Sequence, residues 1–168
     1  MKVALLAAFT FSFILAAQTI AVIDSDRIFD NLGEVTDATE LLEKEIFEWE
    51  AHADSLQEEI DIIQADLDYT MVMSPERRRE RETLIEEKSL ELQTFLAQTF
   101  GPGGLVETRN SQLVSPIVAS INEAVQELSI AEGYDIVLDT SGGLVVYVSN
   151  SLDITDIVLE KLSTGSSD

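Results

Sequence analysis

The chain has no cysteine, three prolines, one histidine and few aromatic residues across its 168 positions. Without cysteine there can be no disulfide, no thiol nucleophile and no thiolate metal site. Sparse proline leaves long stretches free to be helical, and aromatics at 7% argue against a dense globular core. Positive charge is equally scarce, with 10 Lys+Arg against 32 Asp+Glu and a net charge of −22. A nucleic-acid partner is therefore not expected, because phosphate binding needs a cationic surface. The sole histidine, His52, stands among Glu and Asp and reads as a solvated helix residue. Acids are spread so widely that no carboxylate pair can be singled out for acid/base work. Catalytic, cofactor-binding and metal-ligating residues are all expected to be none.

No apolar run is long enough to cross a bilayer comfortably, which takes about 20 residues. The longest, Val3–Leu15, follows Met1-Lys2 and precedes Ala16-Ala17-Gln18. A positive start, a short apolar stretch and small residues at its end describe a secretory signal peptide over 1–17, cleaved near Ala17. Removing it takes away Lys2 and no acid, leaving 9 basic against 32 acidic residues, or −23. Outside the cytoplasm there is no ATP pool, so the mature protein is expected to work on binding energy alone. The acid excess, with Arg outnumbering Lys, also fits a surface kept hydrated in concentrated salt.

What is present is periodicity. Ile20–Ile23 reads as a buried strand, and Ser25-Asp26 as the cap of a brief helix through Phe29 that Gly33 closes. Then Leu42, Ile46, Trp49, Ala53, Leu56, Ile60, Ile63 and Leu67 follow an unbroken 4-3-4-3 spacing, a coiled-coil seam. The spacing predicts a helix from Asp37 to Met73, with Asp37 and Glu40 at its capped start. Ser74-Pro75 then begins a second helix through Phe100, so the two form an antiparallel hairpin arm over 37–114 with its tip at 71–76. Gly101-Pro102-Gly103-Gly104 has neither the preceding strand nor the following Lys-Ser/Thr of a phosphate loop. The outgoing arm is longer than Pro75–Phe100, so this glycine run is expected to break the returning arm at 101–104.

Ser115-Pro116 predicts a fresh helix that carries Ile117, Ile121, Ala124, Val125 and Leu128 and ends at Gly133. Tyr134–Leu138 and Leu144–Val148 are predicted to pair as a hairpin across the Thr140–Gly143 turn, before a last helix beginning near Asp153 or Thr155. The expected fold class is α+β, with a small β-rich body from residues 18–36 and 115–168 and the arm inserted between them. So thin a body needs partners for burial. Its shared core is expected to include Ile20, Val22, Ile136, Leu138, Val146 and Val148. Asp24 and Asp26 lack the ligands and the glycine of a calcium loop. The Asp139–Gly143 stretch has no histidine partner and reads as a turn.

Ile20–Asp24 with Ile28-Phe29, Leu113–Ile117, Gly133–Asp139 and Asp153–Thr155 with Val158-Leu159 and Leu162 resemble, in order and spacing, the Skp/OmpH family of periplasmic chaperones. That resemblance implies a homotrimer with three arms around a cavity, in the periplasm of a Gram-negative bacterium. It implies an ATP-independent holdase for unfolded outer-membrane proteins. Off-seam apolar residues Met71, Val72, Met73, Phe95 and Phe100 are candidate client contacts. The chain departs from the family members' basic character, which leaves membrane contact to the arm tip. There Arg77, Arg78, Arg79 and Arg81 crowd together, with Glu76–Arg79 and Arg78–Glu82 available as helix-spaced pairs. The alternative is a structural spacer or tether in the envelope, held by an uncleaved N-terminus.

Overall fold

The computed structural model describes residues 18–70 and 72–165. Residues 1–17, where the sequence predicts a signal peptide, Met71 at the expected tip and residues 166–168 lie outside them. The chain is mostly helical, with a two-stranded sheet built from residues far apart in sequence. Strand β1, Ile20–Ile23, pairs in parallel with β2, Ile136–Asp139, setting Ile20 opposite Ile136 and Val22 opposite Leu138. On the other side of β1, Val22 bridges Asp153, and the Ile154 N–H donates to the Val22 carbonyl at 2.9 Å. β1 is thus the middle of the body, which explains why Ala21, Val22 and Ile23 are buried.

Helix α1, Ser25–Asn31, starts where the Asp24 carboxylate accepts the Arg27 N–H. Helix α2, Gly33–Tyr69, follows directly. Gly33 therefore opens the arm helix instead of closing the short one, and Asp37 lies inside it rather than at its start. The helix gains the apolar Val35 and Ala38, which pack on the body core and favour the earlier start. Helix α3, Pro75–Phe100, begins with the Ser74 hydroxyl accepting the Arg77 N–H and proline in the first turn. Helix α4, Leu105–Glu132, runs through Pro116 without interruption, where the sequence predicted a restart at Ser115. Pro116 leaves one carbonyl of the preceding turn without its N–H donor. The burial of Ile117, Ile121 and Ala124 on one face holds the helix together across it. Gly133 ends α4 in the left-handed region at φ 75°, and α5, Thr155–Gly165, closes the chain.

The sheet also differs from the expectation. Leu144–Val148 forms no strand and no hairpin with β2, whose partner is β1. It is an extended segment, with Leu144 91% and Val146 98% exposed. Apolar, β-branched residues favour a strand only when a neighbouring strand supplies the ladder and a face to pack on, and one copy of the chain supplies neither. The core within one protomer is Ala21, Ile23, Ile28, Ile117, Ile121, Ala124, Ile154, Val158 and Leu162. Of the residues expected at the shared core, Val22 is buried. Val148 is half-buried, Ile20, Ile136 and Leu138 are each partly open, and Val146 is bare.

Polar side chains tie the two chain ends together beside this core. The Asp24 N–H donates to the Thr155 hydroxyl, and Arg27 pairs with Asp156 and Asp153. The Ser25 and Ser141 hydroxyls both donate to Asp139 Oδ2.

Candidate functional site

Among the described residues the arm is the large feature that the body core does not account for, and its geometry can be built from side chains. In α2, Leu56, Ile63 and Leu67 are buried, while Leu42, Ile46, Trp49, Ala53 and Ile60 are half-buried. At about 1.5 Å per residue, α2 is roughly 55 Å long. Its contacts with α3 repeat. His52 meets Phe95 edge-to-face with ring centroids 4.7 Å apart, Lys88 Nζ lies 2.9 Å from Glu59, and Arg81 lies 3.4 Å from Asp66. From pair to pair, the position rises by seven in α2 and falls by seven in α3. The helices are therefore antiparallel neighbours in heptad register. Glu59 and then Glu91 hold the Lys88 ammonium above its ordinary pKa.

One more step would set Glu45 opposite position 102. Glu45 instead meets Arg109, seven residues further on, through Nε–Oε2 at 2.8 Å and Nη2–Oε1 at 2.9 Å. The returning side of the arm thus carries seven more residues than the heptad register requires, and the helix break at Gly101–Gly104 between α3 and α4 falls within that interval. Here the chain passes very close to itself. A Cβ on Gly101 would lie 2.3 Å from the Ala97 carbonyl oxygen, and Gly103 sits at φ 70°. The Gly103 N–H donates to Glu107, in the first turn of α4. Immediately before the break, the Thr99 side chain is fully buried, and its hydroxyl finds no hydrogen-bond partner among the described residues.

The candidate contact residues are dispersed. Val72 at the tip is 93% exposed, Met73 is half-buried, and Phe100 beside the break is partly open. Phe95 is half-buried against His52, so His52 is a packing partner and not merely solvated. Arg77, Arg78 and Arg79 are exposed. The available pairs Glu76–Arg79 and Arg78–Glu82 do not form among the described residues, and Arg81 reaches across to Asp66 instead. Sequence reasoning overlooked Phe47, Ile62, Tyr69 and Leu90, which all point to solvent. Their signal was present, because each lies off the seam. No group of three or more His, Cys, Asp or Glu is placed to hold a metal ion among the described residues.

Among the described residues, a long two-helix arm projects from a small mixed body and carries exposed apolar side chains along its length. Residues 19–162 match the family described as Outer membrane protein (OmpH-like), and the chain belongs to that family. It is 28% identical over 151 residues to the Chaperone protein Skp of Pectobacterium atrosepticum, covering 88% of this chain and 87% of that one. The fold matches that of an OmpH-like outer membrane chaperone from Caulobacter crescentus CB15 at a TM-score of 0.77. That match has 17% identity and covers 89% of this chain and 86% of the other. The family is one of chaperones, and the protein is not an enzyme.

Proposed function

We propose that this protein is an ATP-independent periplasmic holdase that captures unfolded outer-membrane proteins between helical arms and keeps them from aggregating. One observation carries the reading. A member of this chaperone family leaves large apolar side chains bare along an arm whose seam is already filled. Single apolar residues separated by charge give many weak contacts, and multivalency turns these into useful yet reversible affinity. Met71, Val72, Met73 and Phe100 serve as contacts at the tip and beside the break. Phe95 contributes less because His52 covers it.

Assembly is part of the proposal. The bare segment Leu144–Val148 and the open side of β2 at Ile136 and Leu138 are complementary needs of one protomer. Pairing across copies would satisfy both, in a homotrimer whose body holds three arms around a cavity. The signal peptide delivers the chain to the periplasm of a Gram-negative cell and is removed near Ala17. Arginines at the arm tip are the one place where an anionic membrane surface could be met. The spacer or tether alternative is not favoured, since the likenesses are to chaperones.

The test mixes purified protein with an outer-membrane barrel diluted from urea and follows light scattering. Suppression near one trimer per client, without nucleotide, supports the holdase. Undiminished scattering at a large excess of protein overturns it. Sedimentation measures the trimer separately, and N-terminal sequencing of the exported chain measures cleavage.

A further inference from the structure

The outer side of α2 carries a pattern that sharpens the holdase reading. At 3.6 residues per turn, Phe47, Ile62 and Tyr69 fall within an arc of about 60° on the side opposite the seam. They are 70%, 62% and 87% exposed. Glu40, Asp54, Glu58 and Asp61 project from within about 40° of that arc, and all four are exposed. Asp61 accepts a hydrogen bond from Gln57, and none of the four belongs to an ion pair among the described residues. Of the acids in the inter-helix ion pairs, Glu45 and Glu59 lie toward the seam, whereas Asp66 flanks the arc as closely as Asp61 does; the exposed Lys44, level with Ile62, is the one cation on this side.

Charge is also divided unevenly within the arm. α2 has 13 acidic residues against Lys44 alone, a balance of −12, whereas α3 has 6 acidic and 5 basic. The three large exposed side chains thus share one side of the helix, spaced singly along it with acids between them.

We infer that this outer face of α2 is a docking strip for cationic, apolar-bearing extended segments of unfolded clients. Charge complementarity selects the occupant. An anionic lipid surface would be repelled, and a second copy of α2 would bring two acidic faces together. A basic segment supplies the missing countercharge while its apolar side chains cover Phe47, Ile62 and Tyr69. From Phe47 to Tyr69 the strip is about 33 Å long, the span of roughly ten extended residues. The inference rests on the holdase reading and names the chemistry of the client segment it prefers.

The experiment uses the purified full protein and three fluorescent twelve-residue peptides, followed by anisotropy at low and at half-molar salt. One peptide alternates Leu with Arg, one Leu with Glu, and one Ser with Arg. The Leu/Arg peptide should bind about tenfold more tightly than either of the others, with the charge preference collapsing at high salt. The triple variant Asp54→Asn, Glu58→Gln, Asp61→Asn should lose most of the preference for Leu/Arg over Leu/Glu. Phe47→Ser, Ile62→Ser, Tyr69→Ser should lose the preference for Leu/Arg over Ser/Arg. Equal binding of all three peptides by the unaltered protein, or full retention of preference in both variants, overturns the inference. Scattering of an unfolded barrel, run in parallel, separates the two readings. Suppression without peptide preference sinks only the strip, and absence of suppression sinks the holdase.

Discussion

Arg109 of α4 grips Glu45 of α2 with two parallel hydrogen bonds, 2.8 Å from Nε to Oε2 and 2.9 Å from Nη2 to Oε1. The fork closes the base of the arm just below the break in its returning side. The hydrogen bond from Arg109 holds the Glu45 carboxyl below its ordinary pKa, and the Arg109 guanidinium is raised in return. A carboxylate with a depressed folded pKa stabilises the fold at pH above its unfolded value, near 4.3, and loses that contribution as pH falls below it. Arg109→Gln should therefore lower the melting temperature by a few degrees at neutral pH and by much less near pH 3. Lysine at 109 should recover only part, because an ammonium cannot supply the planar fork. Urea and thermal melts across pH check this, and equal losses at both pH values would contradict it.

The break at Gly101–Gly104 gives opposite predictions for neighbouring residues. Thr99 is fully buried with a hydroxyl that finds no partner, so Thr99→Val should raise stability by about 1 kcal/mol. Gly103 adopts φ 70°, where a side chain costs about 1–2 kcal/mol, so Gly103→Ala should lower stability by that amount. Gly101→Ala should do worse, since its Cβ would collide with the Ala97 carbonyl. Urea midpoints at constant m-value rank the three.

Ile28 joins α1 to the core and has no exposed surface. Ile28→Ala should cost about 2–5 kcal/mol and disturb the body more than the arm. Hydrogen exchange reads the difference as lost protection in β1 and α5 with α3 little changed.

Burial pushes the Asp139 carboxyl up, but hydrogen bonds from Ser25 and Ser141 outweigh it and hold it below its ordinary value. The folded pKa is depressed, so its contribution is present above about pH 4 and is lost as pH falls through the folded value. Asp139→Asn should destabilise at pH 7 and approach the parent protein in strong acid. A thermal melt at each pH measures the gap, and a gap that widened on acidification would contradict the assignment.

Arg77, Arg78 and Arg79 are exposed at the arm tip, whereas Arg81 pairs with Asp66. Replacing all four with glutamine should leave helicity unchanged, because exposed pairs contribute little. Binding to vesicles rich in anionic lipid should fall several-fold at low salt. Unchanged vesicle binding would remove the tip from the account.

Local physics was legible in the sequence wherever one or two residues decide the backbone. Ser74 with Pro75 starts a helix, Gly133 ends one in the left-handed region, and the glycine run at 101–104 separates α3 from α4. Legibility failed where burial against distant residues decided the outcome. Val35 and Ala38 pull the start of α2 back to Gly33, and the Ile117 face carries α4 through Pro116. β1 captures β2 from across the chain, leaving Leu144–Val148 without the expected partner. At the candidate site, the 4-3-4-3 spacing drew attention to the seam and away from Phe47, Ile62 and Tyr69. A side chain's exposure on the far face becomes visible only when the position of the second helix is known.

The central claim is that this arm protects unfolded outer-membrane proteins without nucleotide. Its most direct measurement is the scattering of a urea-unfolded barrel diluted into buffer with increasing protein and no ATP. The account predicts that scattering is abolished near one trimer per client and that the client stays competent to fold into added lipid. Scattering that persists at large excess, or that disappears only with nucleotide, would contradict it.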